Sequence, residues 1–131
     1  FSPREPDSLD GTWRMEQYDV ERVQEFRKCI ECFLCQDVCH VLRDHRLHGE
    51  FIGPRFFVYS AALEMHPLDT ADRTTELAND YGVGYCNITK CCTKVCPEEI
   101  TITDNAIIPL KERVVDKMYD PLTKLLRMFK G

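Results

Sequence analysis

Long apolar runs are missing from this chain. None approaches the roughly 18–20 residues that a membrane-spanning helix requires. A surplus of basic charge is missing as well. Lys and Arg number 17 against 22 Asp and Glu, giving a formal net charge of −5, which argues against general binding to nucleic acid. There is no glycine-rich phosphate loop, no dinucleotide fingerprint, and no nucleophile with a base beside it, so nucleotide chemistry and hydrolysis have no motif to stand on. Tryptophan occurs once, as Trp13, and no tract is of low complexity. The first 28 residues contain no cysteine. All eight cysteines fall between Cys29 and Cys96. At 131 residues the chain makes one domain, which buries about two-thirds of its unfolded surface.

What is present is organised around the stretch C-I-E-C-F-L-C-Q-D-V-C, with Cys29, Cys32, Cys35 and Cys39 at Cys-x2-Cys-x2-Cys-x3-Cys spacing. This is the ligand pattern of bacterial iron–sulfur proteins, whose fourth cysteine serves the other of two clusters. Two-residue gaps let three thiolates converge on one cuboidal cluster, and the fourth faces away. A second half-site is therefore required. It is C-N-I-T-K-C-C-T-K-V-C-P, in which Cys86, Cys92 and Cys96 match the first, third and fourth positions and Thr89 occupies the second. By the crossed-over rule Cys29, Cys32, Cys35 and Cys96 hold a 4Fe–4S cluster. Cys39, Cys86 and Cys92 are left with three thiolates, which suits a 3Fe–4S cluster. Cys91 adjoins a ligand, so its side chain either points away or serves as a spare ligand.

Two blander readings compete. Eight cysteines can make four disulfides in a secreted domain, but such tight spacings put many sulfurs too close for unstrained pairing. Structural zinc also uses Cys-x2-Cys half-sites, yet it draws paired knuckles rather than a run of four and a distant Cys-Pro. Cluster cysteines imply a reducing compartment. Two ligated clusters keep the region anionic, which Arg27, Lys28, Lys90 and Lys94 offset unless they are merely solvated.

Along the chain, residues 1–12 are polar with Pro3, Pro6 and Gly11, and read as an extended linker. Trp13 is expected to pack on the core or a partner. A helix over 19–28, with Val20, Val23 and Phe26 on one face, delivers the chain to the first cluster loop. His40, His45 and His48 are clustered but match no compact metal motif. Gly53-Pro54 starts a central helix that runs to about residue 65 between the cluster loops, with Phe56, Phe57 and Tyr59 in the core. Asp69 is expected to cap a helix over 70–79, and Tyr81-Gly82-Val83-Gly84 ends it. Asp104 or Thr103 is expected to cap a helix to about residue 119, kinked at Pro109 or beginning only there. Asp120-Pro121 opens a last helix. In it Leu122, Leu125, Leu126 and Phe129 lie on one face and Lys124, Arg127 and Lys130 on the other.

These residues resemble the C-terminal half of the iron–sulfur subunit of succinate dehydrogenases and fumarate reductases. The resemblance rests on the run Cys29–Cys39, on C-x5-C-x3-C-P from Cys86 to Pro97 with Thr89 inside it, and on F-I-G-P-R-F-F-V-Y-S-A-A-L and D-T-A-D-R between them. It implies an all-α, ferredoxin-like domain wrapped around the two clusters, with the ligand assignment given above. It also implies electron transfer from an FAD-containing flavoprotein, which handles the dicarboxylate, to a quinone at a membrane anchor that can carry haem. That family's subunit begins with a ferredoxin domain holding a 2Fe–2S cluster. With no cysteine before Cys29, residues 1–18 read as the linker from such a domain, and residues 19–131 as the two-cluster domain. Many members have Pro after the fourth cysteine of the run and Trp a few residues on. Here His40, Arg43 and Asp44 stand in that stretch, and the family's His after Cys86 is Asn87. His40, Asn87 and Thr89 are the expected quinone-side residues, and the missing Trp favours menaquinone and a bacterial complex. The subunit would then lie peripherally on the cytoplasmic face of the inner membrane. The rival assignment is the two-cluster subunit of heterodisulfide reductases or glycerol-3-phosphate dehydrogenases. Those keep a cysteine where Thr89 stands.

Overall fold

Glycine and proline punctuate the chain into short helices, and the fold follows from where they fall. The computed structural model describes residues 1–118 and 121–130. Among these the regular structure is helical, and the only β pairing is an isolated bridge between Pro3 and Asp69. The expected all-α class is what forms. No helix of the described residues is long and apolar enough to cross a membrane.

Helix α1 (Gln17–Arg27) turns Val23 and Phe26 inward, with Asp19 in its first turn and Arg27 in its last, each favourable to the helix dipole. Two short helices follow, α2 (Leu34–Val38) and α3 (His40–Arg43), joined at Cys39. Gly53 adopts φ +93°, a conformation few other residues accept, and lets Pro54 begin α4 (Pro54–Glu64) at a position where its missing N–H costs nothing. Helix α4 is the spine of the domain. It packs on α1, on α2 and on the segment Ile102–Ile107. Next come α5 (Thr74–Asn79), a 3-10 turn (Val83–Tyr85) and α6 (Cys91–Val95). The core gathers Phe51, Phe57, Leu77, Ile100, Ile102, Ile107 and Leu110, each essentially without exposed surface. Burial of one such side chain stabilises the fold by about 1.5–3 kcal/mol.

Pro109 shapes the C-terminal part. Proline has no N–H for the residue four back and crowds that carbonyl, so an α-helix cannot run through it undisturbed. The chain responds with a π-helical stretch at Ile102–Ile107, and α7 (Ile108–Met118) starts one residue before the proline. Helix α8 (Pro121–Lys130) is amphipathic by sequence, and Leu125, Leu126 and Phe129 of its expected apolar stripe are exposed here. The expected end of α7 at residue 119, and the role given to Asp120, lie outside the described residues.

Several expectations need correction. Phe57 is buried, but Phe56 and Tyr59 are 45% and 59% exposed. Phe56 lies one helical step of about 100° and Tyr59 two steps from Phe57, which carries both off the core face of α4. The helix expected from residue 70 begins at Thr74. The reason is that Asp69 is already engaged: its Oδ1 accepts from Ser2 N at 3.1 Å and Ala71 N at 2.9 Å, and Arg73 pairs with its Oδ2 at 2.9 Å. Asp72 instead accepts from the first helical amide, Thr74 N, at 3.0 Å. Neither Thr103 nor Asp104 caps the following helix; Thr103 is buried and bonded elsewhere. Of the two places expected for Trp13, the core is not the one it takes: it is 44% exposed, its Nε1 donating to Arg4 O at 2.8 Å. Residues 1–16 hold no helix, yet they are pinned by Thr70 N to Ser2 O at 2.8 Å, Arg4 N to Leu68 O at 2.9 Å, and the Phe1 ring against His66.

Two cysteine-walled cavities as the candidate functional site

The two half-sites fold alike. In the first, Glu31 and Phe33 are left-handed at φ +59° and +64°; in the second, Ile88 and Lys90 match them at +61° and +64°. Each loop then enters a five-residue helix that ends on an extended cysteine, Cys39 or Cys96. Left-handed residues at such positions curl the backbone into nests whose N–H groups converge on an anion, a common device at iron–sulfur sites. Superimposed in this way, Cys32 of one loop corresponds to Thr89 of the other.

Helices α2 and α6 pack against each other, and this packing sorts the cysteines. Cys29, Cys32 and Cys35 wall one cavity together with Cys96, which arrives from the end of α6. Cys86 and Cys92 wall a second cavity together with Cys39, which arrives from the end of α2. The cavities span about 350 and about 310 Å³ of atom-free space, counting their openings to solvent. Helix α4 runs between them, offering Arg55 and Val58 to the first and Pro54 to the second. A larger groove of about 1030 Å³ lies along Phe51, Phe56, Tyr59 and Tyr81, but it contains no cysteine. The reactive groups are in the small cavities.

The donor sets fit clusters better than either alternative. All eight cysteines are free thiols. Among the described residues no three Cys, His, Asp or Glu side chains converge closely enough for a single metal ion. Structural zinc needs four ligands on one centre at about 2.0–2.3 Å, whereas a cubane spreads its thiolates over separate irons. Burial pushes the Cys35 thiol up to about 12, with the neighbouring Cys92, Cys29 and Cys32 adding to the shift. Burial raises Cys86 as well, against the opposing pull of the Ile88 backbone and Lys111. It also raises Cys92, against hydrogen bonds to Thr103 and Thr93. Thiolates in such walls need a positive centre between them, and metal binding releases their protons.

The other expected residues gather at the second cavity. His40, Asn87 and Thr89 all line it, and His40 Nδ1 lies 3.4 Å from Thr89 Oγ1. His45 stacks edge-on against His40 at 5.9 Å, while His48 lines the larger groove instead. Cys91, whose side chain was expected either to point away or to serve as a spare ligand, is half-buried in the wall of this same cavity because it opens α6. Lys90 also lines the cavity and pairs with Asp104 at 3.2 Å, whereas Arg27, Lys28 and Lys94 are simply exposed.

Four contributors were not assigned to the site by sequence reasoning. Thr103 Oγ1 lies 3.4 Å from Cys92 Sγ, and Lys111 donates to the Cys86 carbonyl. Gln36 clamps two strands of chain, donating to Ile52 O and accepting from Arg55 N, both at 3.0 Å. Arg55 reaches the first cavity. Only the hydroxyl of Thr103 carried any local signal, and it read as a helix cap.

Comparisons with known proteins point the same way as the donor sets. Residues 25–100 match the model of the 4Fe-4S dicluster domain. A chain of the Mycobacterium smegmatis Sdh1 complex in the apo form is 62% identical, with a TM-score of 0.83, over 92% of this chain and 51% of that one. A subunit of the fumarate reductase (CoM/CoB) of Methanothermobacter marburgensis is 30% identical over 86% of this chain. The fumarate reductase iron-sulfur subunit of Mycobacterium tuberculosis is 29% identical over 73%. This chain spans 22% and 38% of those two relatives. With more than half of its length matched, and with its cysteines drawn into two separate walls, the chain belongs to the 4Fe-4S dicluster domain family.

Proposed function

We propose that this chain is the two-cluster electron-transfer part of the iron–sulfur subunit of a succinate:quinone oxidoreductase, of the succinate dehydrogenase or fumarate reductase type. Cys29, Cys32, Cys35 and Cys96 hold a 4Fe–4S cluster. Cys39, Cys86 and Cys92 hold a 3Fe–4S cluster, with Thr89 standing where a fourth thiolate would bind. The clusters supply one-electron chemistry when bound. The chain's own residues fix their separation through the α2–α6 packing, flank them with α4, and set the Thr103 hydroxyl beside Cys92. The observation that carries this reading is the exchange of Cys39 and Cys96 between half-sites: Cys96 joins Cys29, Cys32 and Cys35 in one wall, and Cys39 joins Cys86 and Cys92, with Cys91 beside them, in the other.

Similarity to the Sdh1 complex supports the partners. These are a flavoprotein with FAD on the electron-entry side, and a membrane anchor, able to carry haem, on the exit side. Residues 1–18 lead in from a 2Fe–2S domain. Electrons leave from the second cavity, where His40, Asn87 and Thr89 face a quinone, menaquinone by this reading. The subunit is held peripherally at the cytoplasmic face of a bacterial inner membrane.

Electron paramagnetic resonance of the anaerobically purified protein, with iron quantified, tests this. The expected result is an oxidised-state three-iron signal that disappears on mild reduction, followed by a 4Fe–4S signal at lower potential. Cys91 in the second wall gives a specific alternative, in which it supplies a fourth thiolate and both clusters are 4Fe–4S. Two reduced-state signals, with no three-iron signal and one of them lost in Cys91→Ala, would establish that alternative instead.

A further inference from the structure

We propose that Arg55 tunes the cluster held by Cys29, Cys32, Cys35 and Cys96, its Nε–H donating a hydrogen bond to a sulfur of that cluster. This rests on the cluster reading above. Arg55 is only 7% exposed and lines the same cavity as the four thiols. Its Nη2 donates to Glu31 Oε1 at 2.6 Å, the guanidinium lies over the Tyr59 ring at 5.7 Å, and the backbone N–H donates to Gln36 Oε1 at 3.0 Å. Nε is different. It is buried and has no hydrogen-bond partner among the described residues.

A buried donor on a charged group without an acceptor is the costly case, and native proteins rarely leave one without a reason. The acceptor that this wall provides in number is sulfur. Glu98 lines the cavity too, but it forms no ion pair with Arg55 among the described residues. Glu31, 65% exposed at its side chain, anchors the outer end of the fork, and Tyr59 covers its face. The guanidinium is planar and rigid, so fixing Nη2 also fixes the direction of Nε. Reduction adds one electron, and hence one negative charge, to the cluster and its four thiolates. A cationic donor aimed at a sulfur stabilises the more negative state and raises the reduction potential.

The test is a redox titration followed by electron paramagnetic resonance, on the anaerobic holoprotein of the parent, Arg55→Met and Arg55→Lys. Methionine fills similar space without charge or donor. At the parent's midpoint for the 4Fe–4S cluster, Arg55→Met should show a roughly tenfold lower ratio of reduced to oxidised cluster, which is about 59 mV for a one-electron couple. The midpoint of the cluster at Cys39, Cys86 and Cys92 should not move. Arg55→Lys, keeping the charge but not the fork, should recover only part of the shift. In the parent, electron–nuclear double resonance of the reduced cluster should show an exchangeable proton coupling that both variants lack; this also decides the matter if Arg55→Met fails to retain its cluster. An unchanged midpoint in Arg55→Met at full iron content, an equal shift of both clusters, or an Arg55→Lys midpoint equal to the parent's would each overturn the proposal. Absence of any 4Fe–4S signal in the parent would instead remove the cluster reading itself.

Discussion

On the proposed assignment, the crossing over of ligands rests on two residues, Cys39 and Cys96, and it makes an unusual demand on mutagenesis. Each stands in sequence beside one set of thiols and in space beside the other. Cys96→Ser should therefore abolish the 4Fe–4S resonance anchored at Cys29, although its sequence neighbours are Cys86 and Cys92. Cys39→Ser should abolish the three-iron resonance and spare the other. If each variant lost the signal of its own sequence neighbours, the cavities would have been paired wrongly. Thr89 allows a gain rather than a loss. It occupies the backbone position that Cys32 holds in the matching loop, 3.4 Å from His40 and in the cavity wall. Thr89→Cys should convert the three-iron site to a 4Fe–4S site of lower potential, seen as disappearance of the oxidised-state signal. An unchanged three-iron signal would mean that residue 89 does not face the open corner.

Among the elements, the glycines ahead of α4 and the 3-10 turn are the least replaceable. A Cβ on Gly82 would lie 1.9 Å from the Glu50 carbonyl oxygen, at φ +65°. Left-handed backbone alone costs about 1–2 kcal/mol for a residue with a side chain, and a backbone collision adds on the order of 1–3 kcal/mol. Gly82→Ala should thus lower the denaturant midpoint clearly, and a loss under about 1 kcal/mol would show that the loop relaxes freely. The segment 1–16 depends on Asp69. Burial alone would raise that carboxyl, but the amides of Ala71 and Ser2, together with Arg73, hold it below the ordinary carboxylate range. A depressed folded value means stabilisation that is complete above the unfolded value of about 3.9 and lost as pH falls through the folded one. Asp69→Asn should therefore speed proteolytic cleavage within residues 1–16 at pH 7, with the difference from the parent narrowing below about pH 4.

For the whole molecule, the helices are short and the cysteine-walled cavities sit where they meet. Helices α2 and α6 have five residues each, well below the length at which an isolated helix is stable in water. Their persistence depends on the packing between them and on the apolar layer of Ile100, Ile102 and Ile107 beneath. Leu110→Ala should cost about 2–5 kcal/mol, as for other fully buried leucines. Because ligand binding is folding free energy when the unfolded chain has no site, stripping iron with a chelator under reducing conditions should lower the thermal midpoint. It should also remove the near-ultraviolet circular dichroism of the core. A protein that kept both would be held together by the apolar layer alone.

The spacing of the cysteines by itself determined how the thiols divide. Two-residue gaps restrict which sulfurs can face one centre, and the same gaps recur around Thr89, so the grouping of seven cysteines was legible from the sequence; that Cys91 joins the second wall was not. Gly53-Pro54 likewise determined where α4 begins, because a backbone restriction is local and needs no neighbours. What surrounds the sulfurs was decided only by the tertiary structure. Whether Phe56 or Phe57 enters the core depends on which way α4 is rotated against α1 and the π-helical segment. Asp69 lost its expected cap to Ser2, 67 residues away. Arg55 reads in sequence as one more polar residue on a helix. It becomes a buried cation beside four thiols because α4 is docked between two cavities, a position no local spacing encodes.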